Sequence, residues 1–428
     1  MRILVLTNMY PPHHYGGYEL SCYDTVERLR AHGHRVTVLT TTLRLPGVAD
    51  RRDERTGGVR RDLAFYWDDH RLLSPSLPER LKIERANQLA LENAISAERP
   101  EVVSVWNMGA MSFGLLTTII EKQIPLVYMV CDDWLLYGPK LDAWSRLFTG
   151  RRAIARAVRR LTGVPTSVPE LGMSGTFLFV SDVVRQAATK TTPEAARNGS
   201  VVYSGIDRRF FPPLAGGRPR RAWRWRLLYA GRLDQRKGIH VALDALSFLP
   251  DEATLEIRGR GDSDYLSTLR EQAARLGVEG RVRFSDHSGR TDLHKAYMEA
   301  DVVVFPVLWS EPFGLVPLEA MACGIPVVAT GTGGSGEYLR DGANCLLSPP
   351  GDATALAKAV RRLASDVELR NRVVEGGLMT AEELDIDALA GTLEAWHRAA
   401  AERFQHGRPE ERRSPTDRLD DLDRHQQR

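Results

Sequence analysis

The sequence has few cysteines, the residues that most often hold structural zinc and that cross-link secreted domains. Its four cysteines are scattered, with no Cys-x-x-Cys pair and no partner histidines to complete a zinc site. This spacing also argues against a disulfide framework, which secreted domains of marginal stability often need. We therefore expect a cytoplasmic protein without structural zinc.

Long apolar runs and a strong charge imbalance are also missing. No stretch approaches the roughly 20 apolar residues that cross a bilayer, so any membrane contact is expected to be peripheral. The 58 basic and 55 acidic side chains leave a net charge of +3, too little to draw the whole chain onto nucleic acid. With 428 residues, two lobes are expected rather than one core.

Short apolar runs alternate with helical patterns along the first half of the chain. Ile3 to Thr7, a helix over Tyr18 to His32 and a run over Arg35 to Thr40 predict a βαβ unit. Further strands are predicted at Val102–Trp106, Leu126–Val130, Phe177–Val180 and Val201–Tyr203. Continuous apolar runs separated by helices are typical of buried parallel strands, so the fold class is α/β.

The pattern stops at a Pro/Gly/Arg-rich stretch, Pro212 to Arg221, and then begins again. Strands are predicted at Arg226–Ala230, Thr254–Arg258, Val282–Ser285, Val302–Pro306 and Pro326–Thr330. We therefore assign residues 1–207 to one Rossmann-like domain and residues 208–382 to a second. Residues 406–428 are polar and charged, and we expect them to be disordered because they offer almost nothing to bury.

Two segments of the second half resemble the donor site of family 4 glycosyltransferases. They are GRLDQRKG, from Gly231 to Gly238, and EPFGLVPLEAMACGIPVVAT, from Glu311 to Thr330. The shared signature is a pair of glutamates with seven residues between them, here Glu311 and Glu319. The resemblance implies two Rossmann-like doubly wound domains that face a central cleft (the GT-B fold), with residues 383–405 forming a helix that returns to the first domain.

The same resemblance implies a retaining glycosyltransferase of the hexosyltransferase type, which needs no metal or other cofactor. Its donor would be a nucleotide-sugar, with UDP slightly favoured over GDP, ADP or dTDP. The acceptor hydroxyl would belong to a small molecule, a lipid-linked intermediate or a glycan. A nucleotide-sugar epimerase and a non-catalytic sugar-nucleotide-binding protein are the alternatives.

Site residues are carried over from the resemblance position by position. Arg232 and Lys237 would grip the diphosphate, because a departing phosphate needs cations to stabilise its developing charge. Glu311 would contact the donor-sugar hydroxyls as a positioning residue rather than a covalent nucleophile, and Glu319 would bind the ribose. The remaining donor contacts, mostly through main chain, would come from Phe313, Gly314, Leu315, Gly333 and Gly334.

The first half supplies weaker candidates. Gly16 and Gly17 match the family's glycine pair near the donor phosphates, and the neighbouring His13 is a candidate acceptor contact. The family places a histidine before an Asp-x-Trp sequence, but here that position is Cys131, so the histidine's role cannot be carried over. Asp132 or Asp133 either binds the acceptor or caps the following helix.

Two further patterns have an ordinary and a functional interpretation. Asp262-Ser263-Asp264 resembles a metal-binding DxD, but its position before a helix favours N-capping, so we predict no metal site. The helical stretch from Arg151 to Gly163 sets arginines against an Ile, Val and Leu stripe. It is either a solvated face over a packed stripe or a contact for anionic lipid or an acidic acceptor.

Overall fold

The computed structural model describes residues 1–50, 58–68, 71–213, 222–286 and 289–405. The chain divides into two compact units. The first, here called the N-terminal lobe, comprises Met1–Val180, Val184–Val202 and the residues from Ala390 onward. The second, the C-terminal lobe, comprises Ser181–Val183 and Tyr203–Leu389. Most of the predicted linker (residues 214–221) and the predicted disordered tail (residues 406–428) lie outside the described residues.

The N-terminal lobe is built on a parallel sheet. Its strands are β1 (Arg2–Leu6), β2 (Arg35–Thr41), β3 (Val59–Leu63), β6 (Val102–Val105), β7 (Leu126–Val130), β8 (Thr176–Phe179) and β9 (Ser200–Val201), and the short strands β4 (Trp67–Asp68) and β5 (Arg71–Leu72) form a separate antiparallel pair. The strand order is β3-β2-β1-β6-β7-β8-β9, and every neighbouring pair is parallel. Strands β6 and β7 are buried at every residue, as expected for the centre of a sheet covered on both faces.

Helices connect these strands. They are α1 (Gly17–Ala31), α2 (Leu77–Glu98), α3 (Gly114–Glu121), α4 (Trp134–Leu141), α5 (Arg152–Thr162), α6 (Asp182–Ala188) and α7 (Pro193–Asn198). Short 3₁₀ turns add Ser145–Phe148 and Leu171–Met173.

The C-terminal lobe repeats the architecture. Its strands are β10 (Arg226–Ala230), β11 (Thr254–Arg258), β12 (Val282–Ser285), β13 (Val302–Phe305), β14 (Val327–Ala329) and β15 (Leu346–Leu347), in the all-parallel order β12-β11-β10-β13-β14-β15. The helices are α8 (Ile239–Ser247), α9 (Ser263–Arg275), α10 (Arg290–Glu299), α11 (Leu315–Ala322), α12 (Ala353–Ser365), α13 (Val367–Glu383) and α14 (Ile386–Gln405). From Ala390 onward, α14 belongs to the N-terminal lobe, where Glu394 pairs with His32 at 3.0 Å.

Each sheet reverses its direction of winding at one place. The chain runs outward from β1 to β3 and then returns to place β6 on the other side of β1. In the second lobe it runs from β10 to β12 and returns with β13 beside β10. Loops at the carboxyl ends of the two strands at such a switch point diverge and leave a crevice for ligands. The loops after β10 and β13 are the two segments that carry the predicted donor site.

The doubly wound α/β fold is confirmed, and Leu126–Val130, Arg226–Ala230, Thr254–Arg258 and Val282–Ser285 are strands with the predicted bounds. The sequence analysis missed the edge strand β3, because Arg60, Arg61 and Asp62 interrupt its apolar pattern. Within the described residues, no helix is both long enough and apolar enough to span a membrane.

Candidate active site

The loop after β10 is locked by its own side chains. Asp234 accepts a hydrogen bond from the backbone N–H of Arg236 at 2.9 Å and caps the 3₁₀ turn Gln235–Lys237. The Arg236 guanidinium also pairs with this carboxylate at 2.6 Å and holds the pKa of Asp234 below its usual range. The turn therefore presents Lys237 from a fixed backbone.

This loop lies directly against the chain that follows β13. The backbone N–H of Leu308 donates to the carbonyl oxygen of Arg236 at 2.8 Å. Gly238 has a φ of 71°, and a Cβ at this position would stand 1.9 Å from the carbonyl oxygen of Pro306. Only glycine allows the two loops of the switch point to approach this closely.

The contact between the loops brings Lys237 to Glu311. Lys237 Nζ donates to Glu311 Oε2 at 2.5 Å, and the indole N–H of Trp309 donates to the same oxygen at 2.8 Å. The Glu311 side chain is only 12% exposed, yet no described residue donates to its Oε1. One carboxylate oxygen is thus fixed by the protein while the other can accept a bond from a ligand.

Trp309 also organises the cations around Glu311. The Arg236 guanidinium lies 4.6 Å from the centre of the indole ring, and Lys237 Nζ lies 5.5 Å from it. Both distances are within the range of cation–π attraction. The sequence analysis did not single out Trp309, although an indole two residues before a predicted carboxylate was a usable signal.

Arg232 differs from its neighbours in having no ionic partner. Its side chain is exposed, and no carboxylate of the described residues pairs with its guanidinium. Its carbonyl oxygen accepts the hydroxyl hydrogen bond of Tyr229 at 2.8 Å, which fixes the backbone. A fixed backbone with an unneutralised guanidinium suits the binding of an anion.

The residues after Glu311 anchor the start of α11. The Phe313 ring is 4% exposed and packs between Tyr203 and Tyr338, at ring-centre distances of 5.8 and 5.1 Å. Gly314, with a φ of 88°, then turns the chain into the helix. In the first turn, the backbone N–H groups of Leu315 and Val316 have no intrahelical acceptor and are available to a ligand, whereas Pro317 has no N–H. The Phe313 side chain is therefore part of the lobe's packing.

Glu319 lies in the second turn of α11 and is 9% exposed. Its carboxylate accepts a hydrogen bond from the Tyr297 hydroxyl of α10 at 2.7 Å. Burial and this carboxylate both raise the pKa of Tyr297 well above its usual range, so the phenol remains a donor. Tyr297 orients Glu319, a partnership that no spacing in the sequence indicated.

A third loop, after β14, closes against the loop that carries Glu311. The backbone N–H of Gly334 donates to the Glu311 carbonyl oxygen at 2.7 Å. A Cβ on Gly333 would lie 2.4 Å from the backbone N and O of Glu311, and one on Gly334 would lie 2.0 Å from the Pro312 carbonyl oxygen. Both glycines are required by this packing, whatever else they contact.

In the N-terminal lobe, the first loop leads into α1 and is held from two sides. Glu19 accepts the backbone N–H of Gly16 at 2.9 Å, so Gly16 and Gly17 enter the helix in a defined geometry. On the other side, the buried Arg61 of β3 donates to the carbonyl oxygens of Tyr10 and Pro11, at 2.9 and 3.0 Å. The missed edge strand thus supplies a residue that positions the loop.

The two adjacent aspartates after β7 differ in their hydrogen bonds. Asp132 accepts hydrogen bonds from the backbone N–H of Trp134 and from the Tyr137 hydroxyl, both at 2.9 Å. Burial raises the pKa of Asp132 to about 7. Asp133 is half-buried, and no described residue donates to its carboxylate. Asp132, one residue before the N-cap position of α4, therefore binds the first backbone N–H of this helix, while Asp133 is the aspartate that can face a ligand.

Cys131 occupies the position of the family's histidine. Burial, followed by the neighbouring Asp132 carboxyl, raises the pKa of its thiol well above the usual range. The thiol is neutral and close to the Tyr18 hydroxyl, which itself donates to the carbonyl oxygens of Trp106 and Met129. Cys131 cannot reproduce the imidazole's charge or its two hydrogen-bonding nitrogens.

His13 lies inside the N-terminal lobe. Its residue exposure is 0%, and its Nδ1 accepts the backbone N–H of Leu45 at 3.1 Å. Its Nε2 is 2.8 Å from an Asp50 carboxylate oxygen, which accepts the ring proton. Both ring nitrogens are engaged, so this geometry favours a structural role over the predicted acceptor contact.

Asp262 caps α9 as the sequence indicated, because its carboxylate accepts the backbone N–H of Asp264 at 2.8 Å. Among the described residues, no three histidine, cysteine, aspartate or glutamate side chains are grouped as they would be around a metal ion.

Comparison with known proteins assigns the family. Residues 15–210 match the sequence profile described as Glycosyltransferase Family 4, and residues 220–378 match the profile described as Glycosyl transferases group 1. The chain is 30% identical over 384 residues to a glycogen synthase from Mycobacterium tuberculosis, an alignment that covers 86% of each protein. The chain belongs to glycosyltransferase family 4.

Two further proteins are similar to this family 4 glycosyltransferase. A D-inositol 3-phosphate glycosyltransferase from Streptomyces bingchenggensis is 33% identical over 220 residues, which cover 47% of this chain and 48% of that protein. The crystal structure of Anabaena HepE in complex with UDP and glucose has a TM-score of 0.65 and 20% identity, covering 92% of this chain and 98% of HepE. That structural likeness shows the shared GT-B fold.

We predict that Gly238→Ala destabilises the enzyme by roughly 2–5 kcal/mol, because the new methyl group meets the Pro306 carbonyl and φ is unfavourable. Thermal and denaturant unfolding measure the loss. Gly277→Ala is the matched control, since Gly277 has a φ of 66° but nothing within 4 Å of its Cβ position. It should cost only about 1–2 kcal/mol. Equal losses in the two variants would contradict the close-contact interpretation.

We predict that Asp132 makes stability depend on pH. Its pKa is about 7 in the folded protein and about 4 in an unfolded chain. Between these values the folded state holds a proton that the unfolded state has lost, so stability falls as pH rises, by up to about 1.4 kcal/mol per pH unit. Below pH 4 the contribution is constant. Urea unfolding across this window should show a shallower pH slope for Asp132→Asn, and identical slopes would refute the assignment.

Proposed function

We propose that this family 4 glycosyltransferase moves a sugar from a nucleotide-sugar to an acceptor hydroxyl, with retention at the anomeric carbon and without a metal. The observation that carries the proposal is the cluster of Lys237, Trp309 and Glu311 beside the exposed Arg232. It lies at the switch point of the second sheet, where doubly wound folds bind their ligands.

The leaving group of such a donor is a diphosphate, whose charge increases as the glycosidic bond breaks. Arg232 supplies a cation without a neutralising partner, and Lys237 supplies a second cation from the same loop. Cations and hydrogen-bond donors that are in position before the reaction stabilise the developing charge at little reorganisation cost. The backbone N–H groups of Leu315 and Val316 at the start of α11 add further donors for phosphate or sugar oxygens.

Glu311 acts as a positioning residue in this proposal. Its Oε2 is already held by Lys237 and Trp309, which keeps the carboxylate oriented. Its Oε1 then accepts a bond from a donor-sugar hydroxyl. We assign the ribose hydroxyls to Glu319, with Tyr297 fixing the carboxylate. Acceptor attack from the leaving-group side, with a phosphate oxygen taking the proton, gives retention without an enzymic nucleophile.

We place the acceptor in the N-terminal lobe. We favour Asp133 as the residue that contacts the acceptor, because the polar atoms of Asp132 and His13 already form hydrogen bonds within the lobe. Support for a uridine donor comes from HepE, which was crystallised with UDP and glucose. A glycogen synthase and a D-inositol 3-phosphate glycosyltransferase are both among the relatives, so we propose only that the acceptor group is a hydroxyl. The four free cysteines suit a cytoplasmic enzyme.

The test is nucleotide release from UDP-, GDP-, ADP- and dTDP-sugars with EDTA present. We expect slow release from one donor, UDP-sugar first. Arg232→Ala and Glu311→Gln should each lower the rate by about 10²–10³-fold, because each removes a polar contact to the transition state. NMR of a transferred product should show the anomeric configuration of the donor.

Arg362→Ala is the matched control, since Arg362 is exposed on α12 and no described carboxylate pairs with it. Release by this variant should equal that of the wild type. Wild-type release by both Arg232→Ala and Glu311→Gln would refute the site. Loss of release on EDTA addition, restored by Mg²⁺, would refute metal independence alone.

A further inference from the structure

Helix α5 of the N-terminal lobe lies on the surface with only one narrow face turned inward. The partly buried residues are Ala155, Val158, Arg159 and Thr162, which share one face through i, i+3, i+4 and i+7 spacing. None of the residues of the helix is fully buried. A helix of this kind leaves most of its surface to solvent or to a partner.

The orientation of α5 is fixed by polar contacts on the inner face. Arg159 donates to the Glu121 carboxylate at the end of α3. The Thr166 hydroxyl donates to the Ala155 carbonyl oxygen at 3.0 Å. The helix is therefore anchored with its remaining side chains pointing away from the lobe.

The outward side chains separate into two flanks. Arg152, Arg156 and Arg160 follow i, i+4 spacing along one flank, and all three are exposed. Ile154 and Leu161, seven residues apart, lie along the other flank and are 54% and 83% exposed. The interpretation as a solvated arginine face over a packed apolar stripe is therefore only half right, because the two largest apolar side chains are not packed.

The surrounding chain concentrates positive charge. Residues 140–163 contain seven lysine and arginine residues and a single carboxylate, Asp142. Asp142 is 0% exposed and accepts the backbone N–H groups of Phe113, Trp144 and Ser145, so it does not offset the surface charge. The whole chain, in contrast, has a net charge of only +3.

We propose that α5 docks this lobe on the surface of an anionic lipid bilayer. The arginine flank pairs with lipid phosphates, and Leu161 and Ile154 enter the boundary between head groups and acyl chains. A soluble polyanion would use the arginines but would leave the exposed apolar flank without a function. Single-stranded nucleic acid is disfavoured because α5 has no aromatic side chain on which a base could stack.

The charge test is co-sedimentation of the full chain with phosphatidylcholine vesicles, with and without phosphatidylglycerol. We expect binding only to the anionic vesicles, and binding that weakens as salt is added. Arg156→Glu/Arg160→Glu should lower the apparent vesicle affinity at least tenfold. The control is Lys358→Glu/Arg362→Glu, an exposed i, i+4 pair on α12 with the same change in charge, which should bind like the wild type.

The apolar test separates a bilayer from a soluble polyanion. Leu161→Gln should lower vesicle affinity roughly fivefold or more, because a buried leucine side chain contributes on this scale. Met379→Gln, at a residue that is 58% exposed on α13, is the control and should have no effect. Circular dichroism melts confirm that all four variants fold.

Four outcomes would overturn the proposal. Equal binding to neutral and anionic vesicles would show that the arginine flank does not pair with lipid phosphates. An equal loss of vesicle affinity in the α5 and α12 charge variants would show that α5 is not the docking surface. An unchanged affinity in Leu161→Gln would leave a polyanion contact without bilayer insertion. Binding of single-stranded RNA that depends on Arg156 and Arg160, without vesicle binding, would assign the helix to nucleic acid.

Discussion

The candidate active site depends on main chain packed directly against main chain at the carboxyl edge of the second sheet. A Cβ atom on Gly238 would lie 1.9 Å from the Pro306 carbonyl oxygen, and a Cβ atom on Gly333 would lie 2.4 Å from the backbone of Glu311. No other residue type fits such spaces without moving a loop. The loops after β10, β13 and β14 therefore behave as one piece. The contact between Lys237 and Glu311 follows from that packing as much as from charge.

Much of the fold could be predicted because central parallel strands are continuous apolar runs, and Leu126–Val130 and Arg226–Ala230 need no tertiary information to be recognised. Strand β3 could not be found in this way. Its inward positions include Arg61, whose burial is stabilised by carbonyl oxygens of a loop 50 residues earlier in the chain. Hydropathy alone classes such a residue as exposed.

The same division holds for the site. The glutamate spacing and the basic loop led to the prediction of Glu311, Glu319 and Lys237, because those motifs are local in sequence. Their supporting residues are not local. Tyr297, which holds Glu319, lies on a different helix, and no periodicity connects the two. The sequence also left Asp132 and Asp133 equivalent, since adjacent carboxylates are distinguished only by the donors that a folded chain brings to them.

The two lobes treat charge in opposite ways, and this contrast bears on the chemistry. The C-terminal site is ionic, with Lys237 paired to Glu311 and Arg232 unneutralised. At the corresponding edge of the N-terminal lobe, burial raises the pKa of Tyr18 and Cys131 well above their usual ranges and that of Asp132 to about 7. Tyr18 and Cys131 therefore carry no charge near neutral pH, and Asp132 is charged in only part of the molecules. This edge therefore presents neutral hydrogen-bonding groups beside the Asp133 carboxyl group, whereas the C-terminal site presents fixed charges.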